Sequence, residues 1–230
     1  MRSLTRIVTA AAALAIIGGG ALFWTSGQRT AAPLPGLSDL GLAPSAASAE
    51  EAGDAHEGYF ELVLGAEDAP ITFIEYGSFT CPHCATHHRN VFPRLVEEYI
   101  ETGKMRYIFR EVYFDRFGLW AAMVARCTGP ERYEGMVSLL FERQAQWARG
   151  SDAEVFNSLR RLGRLAGMTD DEIDACAQDR DTQRMLVTLY QENTSRDGIN
   201  STPSFVINGQ RFNNMAWDDL RAILDGKIDG

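Results

Sequence analysis

Cysteine, histidine and positive charge are all scarce in this sequence, and each scarcity removes a class of function. The 230 residues hold four cysteines, Cys81, Cys84, Cys127 and Cys176, and four histidines, His56, His83, His87 and His88. A zinc ribbon needs two closely spaced cysteine pairs, yet only Cys81 and Cys84 lie close together; Cys127 and Cys176 are far apart. Attachment of c-type haem needs histidine directly after the second cysteine, and Ala85 stands there. Basic residues number 22 against 31 acidic ones, a formal net charge of -9. That excludes a nucleic-acid partner, because no basic stripe is left to neutralise phosphates. No internal repeat is present. What remains is an acidic chain, 45% hydrophobic, with ample material for one core and too little for two full domains.

Only one long apolar run occurs, and it is at the front. Arg2 and Arg6 precede Ile7 to Trp24, which is broken only by Thr9. A positive start followed by an apolar stretch reads as an export signal, residues 1–24. Residues 7–24 are also long enough, at the lower limit, to anchor the chain in a bilayer. Ala47-Ser48-Ala49 fits a cleavage site but lies far downstream, so cleaved signal and uncleaved anchor both stay open. Either way Arg2 and Arg6 stay inside and the rest is delivered outside the cytoplasm. Residues 25–57, rich in Ala, Pro, Ser and Gly without apolar periodicity, read as a flexible linker. Large apolar side chains are too few there for a dimerisation domain, so a monomer is expected.

The folded part begins near Gly58. Tyr59 to Leu64 and Ile71 to Tyr76 have strand composition, separated by a turn from Gly65 to Pro70. A helix is expected over roughly 83–102, kinked by Pro93, and Met105 to Glu111 reads as the next strand. Strand, helix, strand implies a parallel pair joined by a right-handed crossover. Helical periodicity then runs from about Gly118 to Arg196, with a stop at Gly129-Pro130. Ser151 with Glu154, and Thr169 with Glu172, form two capping boxes. Strand character returns at Ser204 to Ile207 and Gln210 to Phe212, with Asn208-Gly209 as a hairpin signal. A last helix covers about 215–224.

The chemistry sits in Cys81-Pro82-His83-Cys84, on the turn between an apolar strand and a helix. A cysteine at a helix N-terminus faces unpaired N–H groups and the positive end of the dipole, which favour thiolate. Cys81 is therefore the exposed attacking thiol and Cys84, one turn in, the resolving one. His83 adds positive charge or a hydrogen bond. A stabilised thiolate favours the dithiol form, so the disulfide becomes an oxidant. Glu75, six positions before Cys81 in an otherwise apolar strand, is expected to be desolvated, its pKa raised, and able to exchange a proton with Cys84. A zinc site from Cys81, Cys84, His87 and His88 is the metal alternative, although residues 84, 87 and 88 crowd one helical face. Thr202-Pro203 precedes a strand; read locally its peptide bond is trans, since cis bonds are rare.

Glu75-Tyr76-Gly77-Ser78-Phe79-Thr80-Cys81-Pro82-His83-Cys84, the mid-chain helices and Thr202-Pro203-Ser204-Phe205-Val206-Ile207-Asn208-Gly209 together resemble the DsbA-like thiol:disulfide oxidoreductases. The likeness holds in order and spacing over about 59–230. It implies an α/β thioredoxin fold over 58–230, with an inserted α-helical subdomain at about 115–197. It also implies transfer of a disulfide to reduced or unfolded exported proteins in the periplasm. By position, Cys81 is the nucleophile, Cys84 the resolving cysteine, Pro82 and His83 the tuning dipeptide and Glu75 the buried acid. Pro203 matches the cis-proline, which reverses the local reading, and Thr202 the residue whose backbone pairs with substrate. No metal and no cofactor beyond the Cys81–Cys84 disulfide is implied, and a DsbB-like membrane partner would reoxidise the protein. A reductase or isomerase of the same fold is the alternative activity. In an oxidising compartment Cys127 and Cys176 are expected to pair as a structural disulfide, with two separate buried thiols as the alternative.

Overall fold

Strand β2 (Ile71–Gly77) is the middle of a five-stranded sheet. The structure, a computed structural model, describes residues 59–228. The expected export segment (1–24) and linker (25–57) lie outside the described residues. On one side β2 pairs parallel with β3 (Met105–Glu111), beyond which β1 (Leu62–Leu64) runs antiparallel at the edge. On the other side it pairs antiparallel with β4 (Ser204–Ile207), which continues into edge strand β5 (Gln210–Asn213). Ile71, Phe73 and Tyr76 are buried, as are Tyr107, Phe109 and Phe205 on its neighbours. Coverage of both faces explains why β2 carries an apolar run rather than an alternation. The β4–β5 turn uses Asn208 and Gly209, both with positive φ (48° and 79°), the geometry that Asn-Gly tolerates. The Asn208 side chain accepts from the Thr72 N–H at 2.7 Å, tying the hairpin to β2.

The crossover between β2 and β3 is not the single kinked helix expected over 83–102. Helix α1 (Pro82–Asn90) stops before Val91, and α2 (Phe92–Leu95) restarts with Pro93 in its first turn. Proline lacks an N–H and clashes with the preceding turn, so it ends one helix and is accommodated at the start of another. Residues Val96–Ile100 then widen into π-type turns, closed by the Glu101 N–H on the Val96 carbonyl at 2.9 Å.

Between β3 and β4 the chain forms a helical insert: α3 (Arg116–Arg126), α4 (Pro130–Glu142), α5 (Gln144–Trp147), α6 (Asp152–Leu165), α7 (Asp170–Ala177) and α8 (Arg180–Arg196). Both capping boxes start helices: Ser151 with Glu154 at α6, Thr169 with Glu172 at α7. Helix α3 begins two residues before the expected Gly118, because Asp115 caps it by accepting from the Gly118 N–H. Cys127, at the end of α3, is disulfide-bonded to Cys176 of α7, with Cα atoms 6.2 Å apart. A closing helix α9 (Trp217–Ile228) buries Leu220 and Leu224.

The insert is bonded to the sheet through buried polar groups. Arg126 of α3 donates to both carboxylate oxygens of Glu111 at the end of β3, at 2.8 and 2.5 Å, and to the Phe60 carbonyl at 2.7 Å. The Tyr133 hydroxyl of α4 donates to the same carboxylate. His88 of α1 stacks between Phe92 and Phe141, centroids 4.8 and 5.0 Å away, with Nε2 3.2 Å from the Ser138 hydroxyl of α4. Among the described residues no helix is long and apolar enough to cross a membrane.

Candidate active site

Pro82 opens α1 and Cys81 is its N-cap, in extended conformation (φ -78°, ψ 119°). This placement follows from local chemistry. Pro82 pre-sets the first helical φ and has no N–H to leave unsatisfied, while the Cys81 carbonyl accepts the Ala85 N–H at 3.2 Å. Both cysteines are free thiols, Cys81 partly exposed and Cys84 buried. The Cys81 thiol is pushed down from 9.0 to about 5. The largest cause is the hydrogen bond from the Cys84 thiol; burial opposes it, and the backbone N–H groups of Cys84 and His83 add to the lowering. Cys84 moves far the other way, raised first by burial, then by its bond to Cys81 and the negative charges of Cys81 and Glu75. The Ser78 N–H lies 3.5 Å from its sulfur. One sulfur is thus a thiolate at neutral pH while its partner holds its proton. His83 is exposed, and what it contributes to this lowering is its backbone N–H.

From across the sheet the chain brings up Thr202-Pro203, whose peptide bond is cis. The Cys81 sulfur lies 3.4 Å from the Thr202 carbonyl oxygen. The Thr202 hydroxyl is buried without a hydrogen-bond partner.

Glu75 lies buried behind the pair, but its carboxyl is lowered, not raised as expected. Burial pushes it up, and His87, Tyr107 and more weakly His88 outweigh that. His87 Nδ1 is 3.3 Å from one carboxylate oxygen, too poorly aligned for a hydrogen bond, and the Tyr107 hydroxyl donates to the other at 2.8 Å. Glu75 is therefore a carboxylate at neutral pH, a group that holds no proton of its own. The same geometry separates the groups of the metal alternative. His87 faces Glu75 and His88 faces Ser138, not the cysteines. Among the described residues no group of three or more His, Cys, Asp or Glu side chains is placed to hold a metal ion.

Sequence reasoning missed three contributors. Thr80 donates to Asp115 at 2.6 Å, and Asp115 also caps α3, as described above. An Asp shortly before an apolar helical run was a readable cap signal. Gln144 donates from one amide nitrogen to the Phe79 and Cys81 carbonyls, each at 2.8 Å. Helix α5 is a single turn without periodicity, so nothing in the sequence marked that residue. His87 was noticed only as a metal candidate. A groove of about 380 Å³ between α5 and α6, lined by Arg143, Trp147 and Leu165 among others, includes neither cysteine.

Comparison with known proteins adds a family to this geometry. The profile of the family described as Thioredoxin matches residues 59–226. A Rickettsia bellii protein named "Putative protein-disulfide oxidoreductase" is 32% identical over 174 residues, 74% of this chain and 65% of its own length. The Bacillus subtilis disulfide bond formation protein D is 24% identical over 176 residues, 73% of this chain and 77% of its own. The chain spans only 60–65% of the length of the Rickettsia relatives. Among solved structures, Wolbachia pipientis alpha-DsbA1 superposes with a TM-score of 0.68 at 30% identity, over 74% of this chain and 91% of that one. Oxidised BdbD from Bacillus subtilis, at 20% identity and a TM-score of 0.62, covers 76% of this chain and 95% of its own and shares the fold.

Proposed function

Because the chain belongs to the thioredoxin family and is similar to its DsbA-type members, we propose that it is a thiol:disulfide oxidoreductase that oxidises exported proteins. The observation that carries this is the opposed pair: Cys81 pushed down to about 5 and exposed, Cys84 buried and pushed up.

The steps follow from that asymmetry. In the disulfide form, a client thiolate attacks the Cys81 sulfur and breaks the Cys81–Cys84 bond; Cys84 leaves and takes up a proton. A second client thiol, as thiolate, then attacks the client sulfur of the mixed disulfide and expels Cys81 as a thiolate. The lower the leaving thiol's pKa, the faster it leaves. The client loses two electrons and two protons; one proton stays on Cys84 and the other goes to solvent. Thr202 offers its backbone beside Cys81 for a client strand, while Pro82 and His83 form the exposed rim. In the return half-cycle the Cys81 thiolate attacks the disulfide of a DsbB-like membrane reoxidant. The Glu75 carboxylate then accepts the Cys84 proton, so that Cys84 can close the active-site disulfide again.

An oxidising compartment such as the periplasm fits this chemistry. It is supported by the Cys127–Cys176 disulfide and by the positive, then apolar, start of the sequence, which also allows tethering by residues 7–24. No resident cofactor beyond the cysteine pair takes part.

The test is to equilibrate the Cys81/Cys84 couple with glutathione and to present the disulfide form with a reduced, unfolded protein. Stoichiometric oxidation of that protein, at a potential well above the roughly -270 mV of thioredoxin, is expected. A potential close to that value would instead place the chain with reductases or isomerases. One equivalent of zinc retained under reducing conditions would count against redox catalysis altogether.

A further inference from the structure

The residues that lead into the nucleophile are held by the insert as well as by their own turn, in which the Cys81 N–H bonds the Ser78 carbonyl at 3.1 Å. Gln144 is buried, and its amide nitrogen bonds the carbonyls of Phe79 and Cys81 on either side of Thr80. Thr80 itself is bonded to Asp115 at the start of the insert. Helix α5 is in turn fixed from within the insert: Trp147 Nε1 donates to the Leu140 carbonyl at 2.8 Å, and the Ala148 N–H to the Gln144 carbonyl at 2.9 Å.

From this arrangement we propose that Gln144 is a positioning residue through which the helical insert orients the Cys81 sulfur. The proposal rests on the reading of Cys81 and Cys84 as a redox pair and adds to it what sets the pair's strength. A thiolate at an N-cap is stabilised only while its sulfur points back at the first N–H groups of the helix, here those of His83 and Cys84. Where those N–H groups lie relative to the Cys81 side chain is set by the ψ of Cys81, 119°, and the carbonyl that turns with ψ is the group Gln144 grips. Two carbonyls bound to one amide cannot rotate independently, so the 79–81 turn keeps one conformation in the dithiol form. Without the amide, the Cys81 carbonyl retains only the Ala85 N–H, and the peptide plane gains a range of tilts that take the sulfur off line.

The experiment uses the full chain with Gln144→Met, which keeps length and volume but donates nothing. Two quantities are read: the titration midpoint of Cys81 from its thiolate absorbance, and the equilibrium constant with glutathione. The midpoint is expected to rise by about one unit and the disulfide to become about tenfold less oxidising, a change of about 1.4 kcal/mol. Replacing Cys127 and Cys176 by serine is the control: it removes the disulfide between α3 and α7 without touching α5 or residues 79–81. It is expected to lower the melting temperature while leaving the midpoint in place. Gln144→Asn is the second variant should the Met variant fail to fold. Its shorter amide reaches one carbonyl but not both, so a smaller rise is expected. An unchanged midpoint in the Gln144 variants, or the same shift in the double-serine control at matched loss of stability, overturns the proposal. Failure of the wild-type pair to exchange with glutathione at all would instead overturn the redox reading beneath it.

Discussion

Titrating Cys81 in the dithiol protein should change the stability of the whole fold by a predictable amount. The thiol moves from 9.0 to about 5 on folding. A group whose folded pKa is depressed stabilises the native state when ionised. Its contribution is complete above the ordinary value, shrinks as pH falls, and is gone below about pH 5. At about pH 7 two units of the shift are expressed, or roughly 2.7 kcal/mol at 1.36 kcal/mol per unit. Cys81 is only half-buried, and solvent screening cuts that by about half, leaving about 1.4 kcal/mol. The same free energy favours the dithiol over the disulfide and raises the potential by about 30 mV. Denaturant unfolding of the dithiol form measures it, with Cys81→Ser as the reference that cancels every other titrating group. The difference between the two proteins should grow by about 1.4 kcal/mol from about pH 5 to about pH 7. A flat difference, or a thiolate midpoint in the ordinary thiol range, would refute the reasoning.

Two further outcomes follow from groups around the pair. Replacing Cys127 and Cys176 by serine opens a loop with a sequence separation of 49 and should cost about 4 kcal/mol in the chain-entropy model. The Cys81 midpoint should stay where it was, and thermal unfolding with thiolate absorbance checks both. Glu75→Gln replaces the buried carboxylate that accepts from the Tyr107 hydroxyl, at a cost of about 2 kcal/mol for a hydrogen bond to a charged group. The wild-type advantage should shrink as pH falls below 4.5, since the Glu75 carboxyl is lowered in the fold. The same variant should slow release of Cys81 mixed disulfides by Cys84 about 100-fold, the scale of a lost general base. Attack by Cys81 should keep its rate; acid-quenched trapping separates the two steps.

The parts of this site that could be read in the sequence are those whose chemistry is local. Cys81 and Cys84 announce a helix start by spacing alone, Asn208-Gly209 announces a hairpin, and Ser151/Glu154 and Thr169/Glu172 announce helix caps, because each pattern acts within four residues. The break at Pro93 was visible as a proline, but whether it kinks or divides a helix depends on what covers the chain beyond it. Glu75 shows where local reasoning fails. Burial was legible in the apolar run of β2, but the direction of its shift is decided by His87, on the following helix, and Tyr107, on the neighbouring strand. Gln144 was out of reach entirely, since it acts across more than sixty residues through one turn of helix. Arg126 and Tyr133 on Glu111 are of the same kind: ordinary helical residues until the fold sets a buried carboxylate opposite them.

The insert touches the sheet and its first helix at separate places: Arg126 and Tyr133 on Glu111, Asp115 on Thr80, Gln144 on Phe79 and Cys81, and Ser138 on His88. Each seam is polar and at least partly buried, so opening any one of them strands groups that have left water. The helices therefore do not form a lobe that can melt while the sheet persists. Denaturant should meet one cooperative unit, with amides of α4 and β3 exchanging in the same event. A transplant of these helices onto another thioredoxin sheet would need Glu111, Thr80 and His88 to travel with them.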